Sequence, residues 1–334
     1  MKNKKIIVVG ATGRVGREML SILSDMGVPS ENVTAVASER SAGNLVSYGK
    51  VAQLKVKNLL DINFSGYDFA LFSAGSAISE KYATKAITSG CLVIDNTSFF
   101  RMHKDIPLII PEVNFDDLKK YNSKIIANPN CSTIQTVMAL KPLHDLFGLE
   151  EVVLSTYQST SGAGQKGVDE LLQQTKQVFS NEPIVPHHFK RQIAFNVIPQ
   201  IDEFMPSLYT KEEFKMMNET RKILNLPNLI VAATCVRVPV IVGHAVSVFA
   251  KFRDNVDLFK AHEALSNFDG VKVIKPDDTY EYVTPMEIAS KNDVFVSRLR
   301  AHPDCPNVLN FWCVADNVRK GAALNAIQIA QRLS

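Results

Sequence analysis

The chain has 334 residues, 46% of them apolar and 21% charged, the balance of a soluble globular protein of about two domains at roughly 150 residues each. A net charge of +3, with no basic block and no zinc-type Cys/His spacing, points away from nucleic acid and from metal. The five cysteines (91, 131, 235, 305 and 313) are scattered and odd in number, a pattern that suits a reducing cytoplasm better than a disulfide framework, and no run reaches the ~18 apolar residues of a membrane span.

The opening "MKNKKIIVVGATG" has positive charge followed by apolar residues, as a secretory leader does. Its apolar part is only about six residues and runs straight into a glycine loop, so a first β-strand is expected. "GREMLSILSDMG" has Leu, Ile and Met at helical spacing and closes on Gly27. "NVTAVAS", "FALFSAG", "LVIDNTS" and "SKIIANP" follow as short strands, with helical intervals such as "SEKYATKAITSG". Strand–helix alternation implies a doubly wound, Rossmann-type parallel sheet with ligands at the carboxyl ends of its strands. After Cys131 come "EEVVLSTYQST", "NLIVAATCVRVPV", "AVSVFAKF" and "DVFVSRLRAH", longer strands suited to a mixed sheet, with helices around 165–178 and 211–224. "DNVRKGAALNAIQIAQRL" reads as a C-terminal helix returning to the first domain. The expected division is 1–130 with 315–334 for an α/β nucleotide domain, and 131–314 for an α+β second domain, which the family resemblance described below implies is catalytic and dimerising.

In "VVGATGRVG", Gly10, Gly13 and Gly16 lie between the first strand and the first helix, where a pyrophosphate needs a tight turn and bare backbone. The second strand ends in "ASERSAG". Arg40 flanked by Ser38 and Ser41 favours the 2′-phosphate of NADP, while Glu39 would suit a ribose hydroxyl; the balance favours NADP. "KIIANPNCSTIQTVMALKPL" places Cys131 at the head of an apolar helix, whose unpaired N–H groups favour a thiolate. An inert buried cysteine is the alternative. If the first domain holds a nicotinamide cofactor, a thiolate at the domain junction can attack an aldehyde and carry the acyl group as a thioester.

That chemistry needs a base and groups to hold the substrate. His244 in "RVPVIVGHA" is the candidate base, although a single histidine on an apolar strand is more often a core residue. Arg237 lies seven positions earlier. On one regular strand this odd separation would turn the two side chains to opposite faces, unless Pro239 or Gly243 breaks the pleat. Thr210 and Glu213 form a capping box, leaving Glu212 and Lys215 three apart on one helical face, by themselves the pattern of a solvent-facing ion pair. Gln158 ends a strand before a glycine-rich turn. Asn96 and Arg101 follow a strand of the nucleotide domain, where residues tend to face a ligand.

Together "GATGRVG", "SERSAG", "LFSAG", "VIDNTSFFRM", "PLIIPEVN", "NPNCSTIQ", "TYQSTSGAG", "AFNVIPQID", "RVPVIVGH" and "DNVRKGAALNAIQIA" closely resemble the aspartate-β-semialdehyde dehydrogenase family, in family order from residue 6 to the C-terminus. The resemblance implies that Cys131 is the nucleophile and His244 its acid/base partner. It implies that Asn130 helps shape the oxyanion site and that Gln158 orients the substrate. Arg237 would hold the α-carboxylate and Glu212 the amino group, with Arg101, Lys215 and nearby Asn96 on the phosphate. Gly10, Thr12, Gly13, Arg14 and Val15 would form the pyrophosphate loop, with Gly16 closing the glycine pattern. Ser38, Arg40 and Ser41 would form the 2′-phosphate site. Ser73, Ala74, Gly75 and Asn317 would meet the rest of the cofactor, including its nicotinamide end. The chain departs from the family at Ser76, where a further glycine is usual, and at Ala245-Val246, where a polar pair is usual.

The implied reaction is the NADP-dependent interconversion of L-4-aspartyl phosphate with L-aspartate 4-semialdehyde and phosphate, by a cytoplasmic homodimer serving lysine, threonine and methionine biosynthesis. Its substrate carries a carboxylate, an ammonium and a phosphate, matching an arginine, a glutamate and an Arg/Lys pair. Fixing three ends would hold C4 near the sulfur. A reductase of N-acetyl-γ-glutamyl phosphate shares the architecture, but Glu212 suits a free ammonium rather than an N-acetyl group. A catalytically silent homologue would have no reason to keep Cys131, His244, Arg237 and Lys215 together.

Overall fold

The computed structural model describes residues 1–50, 52–274 and 281–334. These fall into two units, Met1–Asn130 with Ala322–Ser334, and Cys131–Gly321.

The first unit begins with β1 (Ile6–Val9), whose four residues are all fully buried, as a central parallel strand covered on both faces requires. Helix α1 (Arg14–Asp25) buries Met19, Leu20 and Leu23, which recur at helical spacing on one face. Then come β2 (Val33–Ala37), the antiparallel pair β3 (Leu45–Tyr48) and β4 (Ala52–Lys55), a two-residue edge strand β5 (Lys57–Asn58), β6 (Phe69–Phe72), α2 (Ser76–Thr88), β7 (Leu92–Asp95), a short α3 (Pro111–Asn114) and β8 (Ile125–Ala127). The main sheet runs β5-β2-β1-β6-β7-β8, with every pair parallel. Chain order reverses between β1 and β6, and the crevice at such a switch point is where α/β sheets bind ligands. The β3–β4 pair lies outside the simple alternation expected from the sequence.

The second unit starts with α4 (Cys131–Phe147), followed by β9 (Leu149–Gln158), α5 (Gly164–Phe179), α6 (Lys211–Leu224), β10 (Ile230–Arg237), β11 (His244–Phe252), α7 (Leu258–Asn267), β12 (Val271–Val273), β13 (Val294–Ala301) and β14 (Val308–Ala315). Its sheet runs β10-β9-β11-β14-β13-β12; β9 pairs parallel with β10 and antiparallel with β11, so the sheet is mixed. Along β9, Val152, Leu154, Thr156 and Gln158 point into the core, and Val153 and Tyr157 face outward. Helices α4 and α6 pack on this sheet. β14, in the middle of the sheet, is a strand the sequence reading did not single out.

Two expectations are corrected. "NLIVAATCVRVPV" is not one long strand: β10 stops at Arg237, and residues 238–243 arch over the end of β9. Val238 N–H donates to the Gln158 carbonyl (3.0 Å), and the carbonyls of Val240 and Ile241 accept from Thr160 N–H (2.8 Å) and Ser161 N–H (3.1 Å). The C-terminal helix also starts later than expected. Asp316 takes the N–H groups of Val318 and Arg319 on its carboxylate, a π-helical turn spans Arg319–Ala323, and only then does α8 (Leu324–Arg332) begin. α8 is tied into the first unit by Asn325 Nδ2, which donates to Asn128 Oδ1 (2.7 Å) and to the Ile109 carbonyl (3.1 Å).

Candidate active site

Strand register assembles the heart of the site. Gln158, the last residue of β9, is paired with Arg237, the last of β10, and with His244, the first of β11. Residues opposite one another in a ladder share a face, so all three side chains point the same way. The parity argument against a joint site for Arg237 and His244 thus lapses, because they belong to different strands. All three are buried.

Helix α6 supplies the next layer. The capping box is formed: Thr210 Oγ1 accepts from Glu213 N–H, and the Glu213 carboxylate accepts from Thr210 N–H (2.7 Å). The same carboxylate takes Cys235 N–H (3.0 Å), fastening the first turn of α6 to edge strand β10. Glu212 is therefore buried rather than solvent-facing. Its Oε1 accepts from Gln158 Nε2 (3.1 Å) and its Oε2 pairs with Lys215 Nζ (3.2 Å), which also bonds Asp202 (2.9 Å). Thr156 donates to the Gln158 side-chain oxygen (3.1 Å), fixing that amide's orientation.

Arg237 Nη1 donates to the Ser159 carbonyl (2.7 Å). Burial holds this guanidinium below its ordinary pKa, and Glu212 and then Cys131 oppose that shift. The His244 ring is fully buried; burial first and Arg237 second lower its pKa to about 3, so it is neutral. Its Nδ1 accepts from Ser159 N–H (3.0 Å) and lies 3.1 Å from Ser159 Oγ, while its Nε2 has no hydrogen-bond partner among the described residues. A Cβ built on Gly162 would stand 2.8 Å from Arg237 Nη1 and 2.9 Å from His244 Nε2. Both groups therefore border a space that only glycine leaves open.

Cys131 is the first residue of α4 and is half-buried. One turn on, Gln135 Nε2 donates to the carbonyls of His244 (3.2 Å) and Cys313 (3.3 Å), which seats the start of the helix on β11 and β14. A Cβ on Gly321 would come 2.8 Å from Cys131 Cβ, so the π-helical turn abuts the cysteine. Asn317 Oδ1 accepts from Ser159 Oγ (3.2 Å), Ser161 Oγ (3.0 Å) and Gly243 N–H (2.9 Å).

The other candidates lie in the first unit. Gly10, at φ +93°, has no room for a side chain: a Cβ would meet Ser73 Oγ and Ser73 C at 2.9 Å and Ala74 N at 3.0 Å. Gly16 is tighter still, with its Cβ 2.2 Å from the Gly10 carbonyl. The ends of β1 and β6 thus meet through bare backbone at the head of α1, whose first turn holds Arg14, Val15 and no acid. Thr12 closes the loop by accepting from Arg17 Nε (3.0 Å). A dinucleotide pyrophosphate suits such a cradle. Ser38 and Arg40 at the end of β2 are exposed and Ser41 is half-buried. Gly75, at φ +96°, precedes α2. Arg101 donates to the backbone carbonyls of Asn96 (2.8 Å) and Asn128 (2.9 Å), and Asn96 Nδ2 is buried without a partner among the described residues. Asn130 is buried just before Cys131. Among the described residues no group of three or more His, Cys, Asp or Glu could hold a metal.

Residues 5–121 match the family model described as "Semialdehyde dehydrogenase, NAD binding domain", and residues 140–320 match "Semialdehyde dehydrogenase, dimerisation domain". The chain is 47% identical to an aspartate-semialdehyde dehydrogenase of Campylobacter jejuni over 99% of this chain and 97% of that one, and 45% identical to that of Bacillus subtilis over 98% and 96%. Among solved structures, aspartate semialdehyde dehydrogenase II of Vibrio cholerae, complexed with ASA, superposes with a TM-score of 0.95 at 44% identity, over 100% of this chain and 98% of that one. The chain belongs to the aspartate-semialdehyde dehydrogenase family.

Its departures from the aspartate-semialdehyde dehydrogenase pattern are absorbed locally. Ser76 opens α2, where no glycine backbone is needed, and its hydroxyl lies 3.2 Å from that of Ser98. Ala245 and Val246 are buried in β11, so His244 is supported by Ser159, the residue after β9, rather than by the residues that follow it. Sequence reasoning missed Gln135, Ser159, Gly162 and Asp202. The first three touch the site through strand register or helix packing, and Asp202 through its ion pair with Lys215. The one available hint was the Ser-x-Ser-Gly run directly after Gln158.

Proposed function

We propose that the chain catalyses the reversible, NADP-dependent reductive dephosphorylation of L-4-aspartyl phosphate to L-aspartate 4-semialdehyde, within aspartate-family amino-acid biosynthesis. The observation that carries this reading is the register row of Gln158, Arg237 and His244, closed by Glu212. Arg237 holds the α-carboxylate and Glu212 the ammonium. Lys215 serves the phosphate, with Arg101 and the Asn96 amide nitrogen, which has no partner among the described residues, in the same role. Cys131, as thiolate, attacks C4: a C–S bond forms and the bond to phosphate breaks, leaving the acyl group as a thioester. Asn130 and Gln158 shape the surroundings of the acyl oxygen.

A bound nicotinamide dinucleotide supplies the hydride. Gly10, Thr12, Gly13, Arg14, Val15 and Gly16 hold its pyrophosphate, and Ser73, Ala74, Gly75 and Asn317 hold the remainder. Ser38, Arg40 and Ser41 favour the 2′-phosphate of NADP. A homodimer through the second unit accords with its dimerisation-domain match and with the exposed Val153, Tyr157 and Ile230 on its sheet.

The test follows 340 nm absorbance with semialdehyde, phosphate and either NADP or NAD, using the intact chain and Cys131→Ala. Phosphate-dependent reduction of NADP is expected, and the variant should abolish it. Near-normal turnover without the thiol would exclude the covalent route, and a preference for an N-acetylated semialdehyde would replace the substrate.

A further inference from the structure

We infer that Asp202 is a positioning residue for the phosphate: it is the resident counter-anion of Lys215, and phosphate binds by displacing it. This role rests on the functional reading above, in which Lys215 serves the phosphate, and deepens it. Lys215 Nζ stands between two carboxylates, 2.9 Å from Asp202 Oδ2 and 3.2 Å from Glu212 Oε2. The two are not equivalent. Glu212 lies on the same helix, its side chain is only 7% exposed, and its other oxygen accepts from Gln158 Nε2. A buried carboxylate that lost its cation would be left uncompensated, at a large cost. The Asp202 side chain is 35% exposed and comes from the loop before α6, so water solvates it when the pair opens. Of the two partners, Asp202 is the one that Lys215 can exchange.

The loop holds that carboxylate in place. Asp202 sits at φ +68°, in the left-handed region, which Asp tolerates because its side chain can bond nearby backbone. Here Oδ1 accepts from Glu203 N–H (3.0 Å), while Oδ2 takes Lys215 Nζ. The Glu203 carbonyl accepts from Lys211 N–H (2.8 Å), which folds the loop back onto the first turn of α6. At its other end Ile198 and Arg237 exchange both backbone hydrogen bonds, at 2.9 and 2.8 Å. The loop therefore runs from the backbone of Arg237 to the helix that carries Lys215, and Asp202 lies between two fastened ends.

Charge decides what the carboxylate does. Two carboxylates against one ammonium leave the cluster negative, so an approaching phosphate meets a site of its own sign. When the substrate ammonium occupies Glu212, Asp202 remains as the rival anion on Lys215. Phosphate oxygens and Asp202 Oδ2 then compete for the same N–H donors, and the doubly charged ligand displaces the singly charged one. The exchange runs both ways. In the reductive direction phosphate leaves once the thioester has formed, and Asp202 recaptures Lys215 as it goes. Asp202 thus weakens phosphate binding and eases phosphate departure.

The test is the KM for phosphate in semialdehyde oxidation by the full-length protein, by Asp202→Asn and Asp202→Gly, and by Lys215→Ala. Asn and Gly both tolerate the left-handed backbone at 202, and each removes the charge. Each should lower KM for phosphate about fivefold and leave KM for semialdehyde within about twofold, whereas loss of a merely structural contact would raise both. Lys215→Ala should raise KM for phosphate. In the reductive direction the 202 variants should be inhibited by phosphate at correspondingly lower concentration. Calorimetric titration of inorganic phosphate into the same proteins, at constant ionic strength, should show Kd falling by the same factor without turnover. Phosphate KM and Kd unchanged or raised in both 202 variants, beside a raised KM in Lys215→Ala, overturn the inference and leave the functional reading standing. A phosphate KM unmoved by Lys215→Ala takes phosphate off that lysine and overturns both.

Discussion

Gly162 shows how much the site depends on a side chain that is absent. It needs no left-handed backbone, so replacing it leaves the turn unstrained, yet a Cβ would press on Arg237 Nη1 and His244 Nε2 at 2.8 and 2.9 Å. Neither group can yield cheaply, because the first is tied to the Ser159 carbonyl and the second to Ser159 N–H. Gly162→Ala should therefore lower kcat/KM by about 10²-fold, as misplacement of about an ångström does, while the thermal midpoint stays within a few degrees. A variant with unchanged kcat/KM would mean that the two groups do not border the substrate. Cys131, His244 and Arg237 were named as candidates in the sequence through short motifs that carry the family resemblance. Gly162, Ser159 and Gln135 were not, since their partners lie on other strands and only register brings them near.

Among the elements, α6 links sequence to site most directly. Its capping box was readable from Thr210 and Glu213, but the buried position of Glu212 was not, because three-residue spacing fixes a shared face without saying what covers it. The first turn is held by Thr210 and by the Glu213 bond to Cys235 N–H, and that turn carries Glu212. Thr210→Ala should cost about 1 kcal/mol in urea unfolding and raise KM for semialdehyde more than it lowers kcat, with Thr210→Ser restoring both. If KM holds steady while stability falls, the cap supports the helix alone. The parallel strands of the first unit were legible as short β-branched runs between helical intervals. The break between β10 and β11 was open in the sequence, resting on Pro239 or Gly243, because the apolar residues 238–242 continue the strand pattern while the chain arches over β9.

For the whole molecule, the neutral burial of His244 ties folding to pH. An unfolded histidine titrates near 6.5, whereas this one is lowered to about 3 in the fold. A lowered folded pKa means that the contribution is fully present above pH 6.5 and is lost as pH falls from 6.5 toward 3, where only the unfolded chain takes up the proton. By pH 5 this one ring should remove about 2 kcal/mol of stability. His244→Asn should therefore show a fall in unfolding free energy between pH 7 and pH 5 that is smaller by that amount; identical falls in both proteins would place the acid sensitivity elsewhere. The second unit starts at Cys131 and stops at Gly321, and these two residues touch. Its ends are neighbours, so a linker of a few residues could circularise it, and new termini could be opened in a surface loop. The natural junction is a poor place for such a cut, because a free α-amino group made there would set a titrating charge beside the sulfur.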